Sequence, residues 1–210
     1  MGLFVSPMAE EDGPILERAA RLLVDGNLSG AQVEFAKLSP TDPIIRPKFP
    51  SLPGVAIPGA KRPNVSPAIL APILQRDCWC CRYCGRRLVV AGVLELLGII
   101  APNEFPFPRG HNMPAARTHV AACRTYPAVD HVRAGSSSNL WRDQNNLVAA
   151  CMPCNESKGD RSGWIVQPVS QPNWTGLVQL YRPLMERATV RRQYHVSWLN
   201  ALGTLSNDNF

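Results

Sequence analysis

Four cysteines fall into two CxxC pairs, Cys81/Cys84 and Cys151/Cys154, with 66 residues between the pairs. A CxxC lets one tight turn bring two thiolates onto one metal ion. Two such pairs form a four-cysteine set, the closed tetrahedral arrangement that binds zinc structurally and leaves no open position for catalysis. Cys78-x-x-Cys81 has the same spacing. Gly85 directly after Cys84 favours the Cys81/Cys84 pair, because glycine permits the turn that frees amide donors for thiolates. Cys78, Cys80 and Cys123 then read as packing residues. Seven cysteines without a secretory leader argue against a disulfide framework, and a thioredoxin-like redox motif needs only one pair, in a βαβ setting.

Between and beside these pairs lie Asp130-His131, Asn146, Asn155 and Lys158-Gly159-Asp160. Phosphodiester hydrolysis needs an activated water, a neutralised phosphate and help for the departing oxygen. A neutral imidazole takes a proton from water near neutral pH. A carboxylate next to it holds a hard cation through oxygen, and a second oxygen ligand completes a site still open to phosphate. His131, Asp130 and Asn155 are the residue types for those three tasks. A zinc ion on Cys154 would bring its neighbour Asn155 back towards Asp130-His131.

The elements that must position these groups can be read from periodicity. Residues 14–38 look helical, with Ile15, Leu16, Ala19, Leu22 and Leu23 at helical spacing, a break at Gly26 and a second short helix over 30–38. Seven prolines in the 24 residues from Pro40 to Pro63 sustain neither helix nor central strand, so residues 40–65 read as a linker after an acidic helical segment, 1–39. Ser66-Pro67 is a helix start, with Ser66 as cap. That helix should run to about Arg76 and deliver the chain to the cysteines. Residues 89–100 are predicted helical and 102–114 irregular. Residues 126–132 alternate as a strand, 147–150 form a short apolar strand, and 153–158 begin a helix. The zinc-stapled domain is placed at 66–165, with a helical extension at 166–210 carrying candidates at 175–187 and 191–202. The fold class is α+β.

Residues 1–43 hold 3 basic against 7 acidic side chains, whereas 44–210 hold 19 against 9. A basic body suits a polyanionic partner, since Lys and Arg near phosphates release condensed counterions. No apolar run approaches the roughly 20 residues that span a bilayer, which argues against a membrane protein. The chain's start lacks a basic region followed by an apolar block, so a cytoplasmic location is expected.

Taken together, DH-x14-N-x4-CxxCN-x2-KGD and the Cys81–Cys84 knuckle resemble the HNH, or ββα-metal, endonucleases. The resemblance covers the knuckle and then Asp130 to Asp160. It implies a ββα motif buttressed by the four-cysteine zinc knuckle, with His131 as the general base. Asp130 and Asn155 would hold a catalytic divalent cation, magnesium or manganese, in the H-N-N variant of the motif. Asn146 would hold the loop that orients the imidazole, and Lys158 and Arg133 are candidate phosphate contacts. Val132-Arg133-Ala134-Gly135-Ser136 departs from the family, which commonly has a hydrophobic pair, Pro and Gly-Gly there. The implied activity is endonucleolytic cleavage, with DNA as the expected partner. Two other classes fit the same residues: a non-catalytic zinc-stabilised nucleic-acid-binding module, and an interaction protein whose acidic N-terminal helices take a protein partner or a second copy. His111, His119 and His195 have no companion ligands and read as surface or structural residues. Trp141, Trp164, Trp174 and Trp198 read as core or interface residues, and the arginines 187, 191 and 192 as either phosphate-tracking or solvated.

Overall fold

Ile15, Leu16, Ala19, Ala20 and Leu23 line one face of the first helix, α1 (Asp12–Val24), and are all buried. The computed structural model describes residues 11–38, 66–107, 118–133, 143–159, 164–169, 173–189 and 193–203. The proline-rich stretch, residues 134–142 with Trp141, and His111, Asp160 and the arginines 191 and 192 lie outside them. Asp12 in the first turn of α1 suits the positive end of the helix dipole and is paired with Arg124 at 2.7 Å. Gly26, at φ +78°, ends the helix, and Asn27 caps α2 (Leu28–Phe35) by accepting from Gly30 N at 2.8 Å.

The helix α3 (Pro67–Arg76) starts where Ser66-Pro67 predicts. Ser66 holds the cap position with extended backbone, yet its hydroxyl makes no capping bond. Pro67 in the first turn and its preset φ carry the start instead. The helix α4 (Ala91–Ile100) is apolar on every side except for buried Glu95, the signature of a helix surrounded by protein. Val89 and Val90, predicted to belong to it, are extended, with their amides bonded to Thr125 O and Gly176 O. Val93, Leu94, Leu96 and Leu97 are fully buried, each stabilising by about 2 kcal/mol.

Around α4 pack α7 (Val178–Ala188) and α8 (Gln193–Ala201), while α1 lies on α7 and α3 on α8. A methyl at Gly92 would meet Tyr181 Oη at 1.8 Å, so glycine lets α4 approach α7 this closely. A short helix not foreseen in the sequence, α5 (Val120–Thr125), begins at His119, whose Nδ1 accepts from Ala121 N at 3.1 Å. Burial holds that imidazole below its ordinary pKa, in keeping with a neutral acceptor. Residues of α1 and α2 share one hydrophobic core with α3, α4, α7 and α8, and enclose no separate core among the described residues.

The remaining unit is a hairpin and helix. The strands β1 (Pro127–His131) and β2 (Leu147–Cys151) pair antiparallel, with Asp130 opposite Val148 and His131 opposite Leu147. The chain passes directly from β2 into α6 (Met152–Lys158), where Pro153 sits in the first turn. The fold is therefore mixed, mostly helical, with a two-stranded antiparallel sheet and four cysteines gathered beside it.

Candidate metal centre and the residues around it

Cys81, Cys84, Cys151 and Cys154 present their sulfurs within 4.8 Å of one another. A tetrahedral site with Zn–S near 2.3 Å spaces its sulfurs about 3.8 Å apart. The Cys84–Cys151 separation is 3.9 Å, so the donor set fits one such ion. The first pair sits in a small loop: Gly85 N bonds to Cys81 O, Cys81 N to Arg86 O, and Cys80 bridges to Arg87. Gly85 takes φ +76°, the turn that its position after Cys84 implied. The second pair spans the last residue of β2 and the first turn of α6, where the step from Cys151 to Cys154 places both on one face. Hydrogen bonds from Cys151, Cys154 and Cys84 push the Cys81 thiol far below its ordinary pKa, while those from Cys154, Cys81 and Cys84 raise Cys151. Four thiolates this close would repel one another, and a divalent cation bound among them would take the place of their protons.

The knuckle is built onto the outer edge of β2. Leu147 O accepts from Arg76 Nη2 at 2.6 Å, Ala149 O from Arg82 N at 2.8 Å, and Ala149 N donates to Asp77 Oδ2 at 2.8 Å. Asp77 is only 1% exposed. It accepts further bonds from Arg76 and Arg82, so one buried carboxylate joins α3, the knuckle and the sheet edge. A bare edge strand is thereby satisfied by two side chains and one knuckle amide. The sequence reading missed Asp77; its only signal was an acid directly after the last helical residue. Cys78 and Trp79 follow it in left-handed backbone, at φ +50° and +53°. Trp79 is buried against Trp198 at 6.4 Å.

Asp130 is buried, and its Oδ2 accepts from Tyr83 Oη at 2.6 Å. Lys158 Nζ lies 3.0 Å from the same oxygen and donates to His131 O at 2.7 Å. Lys158 is 1% exposed, so its ammonium is committed to protein oxygens and does not lie at the surface as a phosphate contact would. Burial foremost, then the bond to Asp130, raises the Tyr83 phenol above its ordinary pKa. Asn155 is half-buried and three residues before Lys158 on α6, hence on the same helical side that faces β1. His131 is half-buried at the last position of β1, opposite Leu147 and on the other strand face from Asp130.

Asn146 ends a 3-10 turn, Gln144–Asn146, and is buried. Its Oδ1 accepts from Arg133 N at 2.8 Å, its Nδ2 donates to Arg133 O at 3.1 Å, and its backbone O accepts from Val132 N at 2.8 Å. The chain leaving His131 is thus clamped on both sides by one asparagine, and Arg133 itself is exposed.

Other residues weighed in the sequence have structural places. His195 is fully buried, its Nδ1 2.9 Å from Tyr181 Oη. Trp174 donates to Leu88 O and stacks under Arg87; Trp164 lies edge-on to Tyr83. Arg87 and Arg124 are paired with Glu11 and Asp12, and Arg76 and Arg82 with Asp77, so part of the basic excess serves internal bonds. No helix among the described residues is long and apolar enough to cross a membrane. No protein-family model matches the chain, and neither a curated protein nor a solved structure does.

Proposed function

We propose that the chain is a metal-dependent endonuclease of the HNH, or ββα-metal, type, hydrolysing phosphodiester bonds in DNA. One observation carries the reading. The continuous unit β1–β2–α6 bears Asp130, His131, Asn146 and Asn155, and its Cys151 and Cys154 join the Cys81/Cys84 knuckle. In this reading the four-cysteine set holds structural zinc and fixes the turn from β2 into α6. His131 removes the proton from the attacking water. Asn146, bonded to both backbone groups of Arg133, fixes the chain that follows His131 and so limits where its imidazole points. A divalent cation, magnesium or manganese, held by the oxygens of Asp130 and Asn155 would supply Lewis acidity to the phosphate and the departing oxygen. In the same reading Arg133, exposed two residues after His131, would meet a phosphate oxygen.

A second reading has its own observation. The Lys158 ammonium beside Asp130 Oδ2 already neutralises the carboxylate that the nuclease needs for its cation. A protein using the lysine permanently in that way would be a zinc-stabilised nucleic-acid-binding module without hydrolysis. Incubating supercoiled plasmid with the purified chain in magnesium, in manganese and in EDTA separates the two. The nuclease predicts nicked or linear product with either metal, none in EDTA, and loss in His131→Ala with zinc content intact. Salt-sensitive DNA binding with no product under any metal would establish the binding module instead.

A further inference from the structure

Tyr83 occupies the second inner position of the first CxxC, Cys81-Arg82-Tyr83-Cys84. Its hydroxyl reaches 47 residues along the chain to Asp130 Oδ2 at 2.6 Å. The ring is wedged edge-on against Trp164, with centroids 5.3 Å apart and planes at 81°, which fixes its direction. Lys158 approaches the same Asp130 oxygen at 3.0 Å, from α6. Both anchors therefore fall on Oδ2, and among the described residues Oδ1 receives no hydrogen bond. A carboxylate held by one oxygen has its plane set and its other oxygen left to bind a cation in monodentate fashion.

The position of the phenol is in turn set by the knuckle. Tyr83 lies between two of the four thiols, and Arg82 beside it is bonded through its backbone to Ala149 and Gln167. Whatever closes the four-cysteine set also decides where the hydroxyl stands.

We propose that Tyr83 is a positioning residue for the catalytic cation: it couples the cysteine knuckle to the orientation of Asp130, so the zinc centre tunes the neighbouring oxygen-ligand site. The inference rests on the nuclease reading for the role of Asp130, and its test reads cation binding rather than cleavage. Zinc-replete wild type and Tyr83→Phe are titrated with Mn2+, following free Mn2+ by its electron paramagnetic resonance signal. Loss of a ligand's hydrogen-bond partner weakens metal binding by about 10- to 100-fold, and a shift of that size is expected with one zinc per chain retained. Equal Mn2+ affinity in the two proteins overturns the proposal. In wild type alone, bound Mn2+ should broaden the Tyr83 ring resonances, because the ring lies next to the cation's ligand; sharp resonances with Mn2+ bound overturn the proposal without a variant. A wild type that binds no Mn2+ defeats this inference and the nuclease reading together. Mn2+ binding weakened in Tyr83→Phe, with no cleavage by wild type, supports Tyr83's role while removing the nuclease reading.

Discussion

Around α4, Val93, Leu94, Leu96 and Leu97 lose all contact with water, and α7 comes so close that Gly92 has no room for a methyl group. In the hairpin, by contrast, only two strands of five residues pair, and the outer edge of β2 is satisfied by Arg76, Asp77 and the knuckle backbone. A two-stranded ribbon has little apolar area of its own and is marginal in water. The first region is held by burial, which tolerates displacement of single polar contacts. The second is held by directed bonds among buried charges and thiols, each of which depends on the others. Apolar burial is concentrated in the first region, and the proposed chemistry lies in the second, beside four cysteines that could hold a metal ion.

That difference can be broken from either side. Cys151→Ser should have the largest effect: zinc content falls well below one per chain and any cleavage disappears, while far-ultraviolet circular dichroism keeps most of its helical signal. If zinc stays at one per chain, Cys151 is not a ligand and the four sulfurs are mere neighbours. Leu97→Ala strikes the helical region. It should lower unfolding free energy by about 3 kcal/mol through lost transfer energy and a cavity, leaving zinc content below the transition unchanged. A comparable loss of zinc in this variant would mean that the two regions are not held independently.

The smallest effect sharpens the comparison at the junction. His119 caps α5 as a neutral acceptor, with its folded pKa held below the ordinary 6.5 by burial. The unfolded chain therefore takes up the proton first. The stability from this group is full above 6.5 and is lost as pH falls from that value through the folded pKa. His119→Asn keeps a capping acceptor that does not titrate. Urea unfolding at about pH 7 and about pH 5.5 should show it losing less stability than wild type over that interval. Equal losses would remove His119 from the account.

What the sequence made legible follows from how local each signal is. The helices at 12–24, 67–76 and 91–100 repeat apolar residues or carry Pro at their start, and the two strands are short runs bounded by turn residues. The four cysteines could be paired because CxxC and Gly85 are local features. Asp77 and Tyr83 could not be found that way. Each joins its element to a partner 47 or more residues away, and nothing in spacing marks an acid after a helix or a tyrosine inside a CxxC. Lys158 was legible as a residue but not in its burial, since one turn of α6 decides whether its ammonium meets solvent or Asp130. The net charge was similarly blind to pairing, because Arg76, Arg82, Arg87 and Arg124 count toward the basic excess while bonded to acids.

The most direct test of the hairpin-plus-helix as a hydrolytic site is the single-turnover cleavage rate of a DNA duplex against Mn2+ concentration, measured on zinc-replete protein. Wild type should rise to a plateau. Asp130→Asn should move the half-saturating concentration upward, because it weakens a cation ligand, and His131→Ala should lower the plateau about 10²- to 10⁴-fold at an unchanged midpoint. A wild-type rate that stays at zero at every Mn2+ concentration, or a His131→Ala curve superimposable on wild type, would contradict the account.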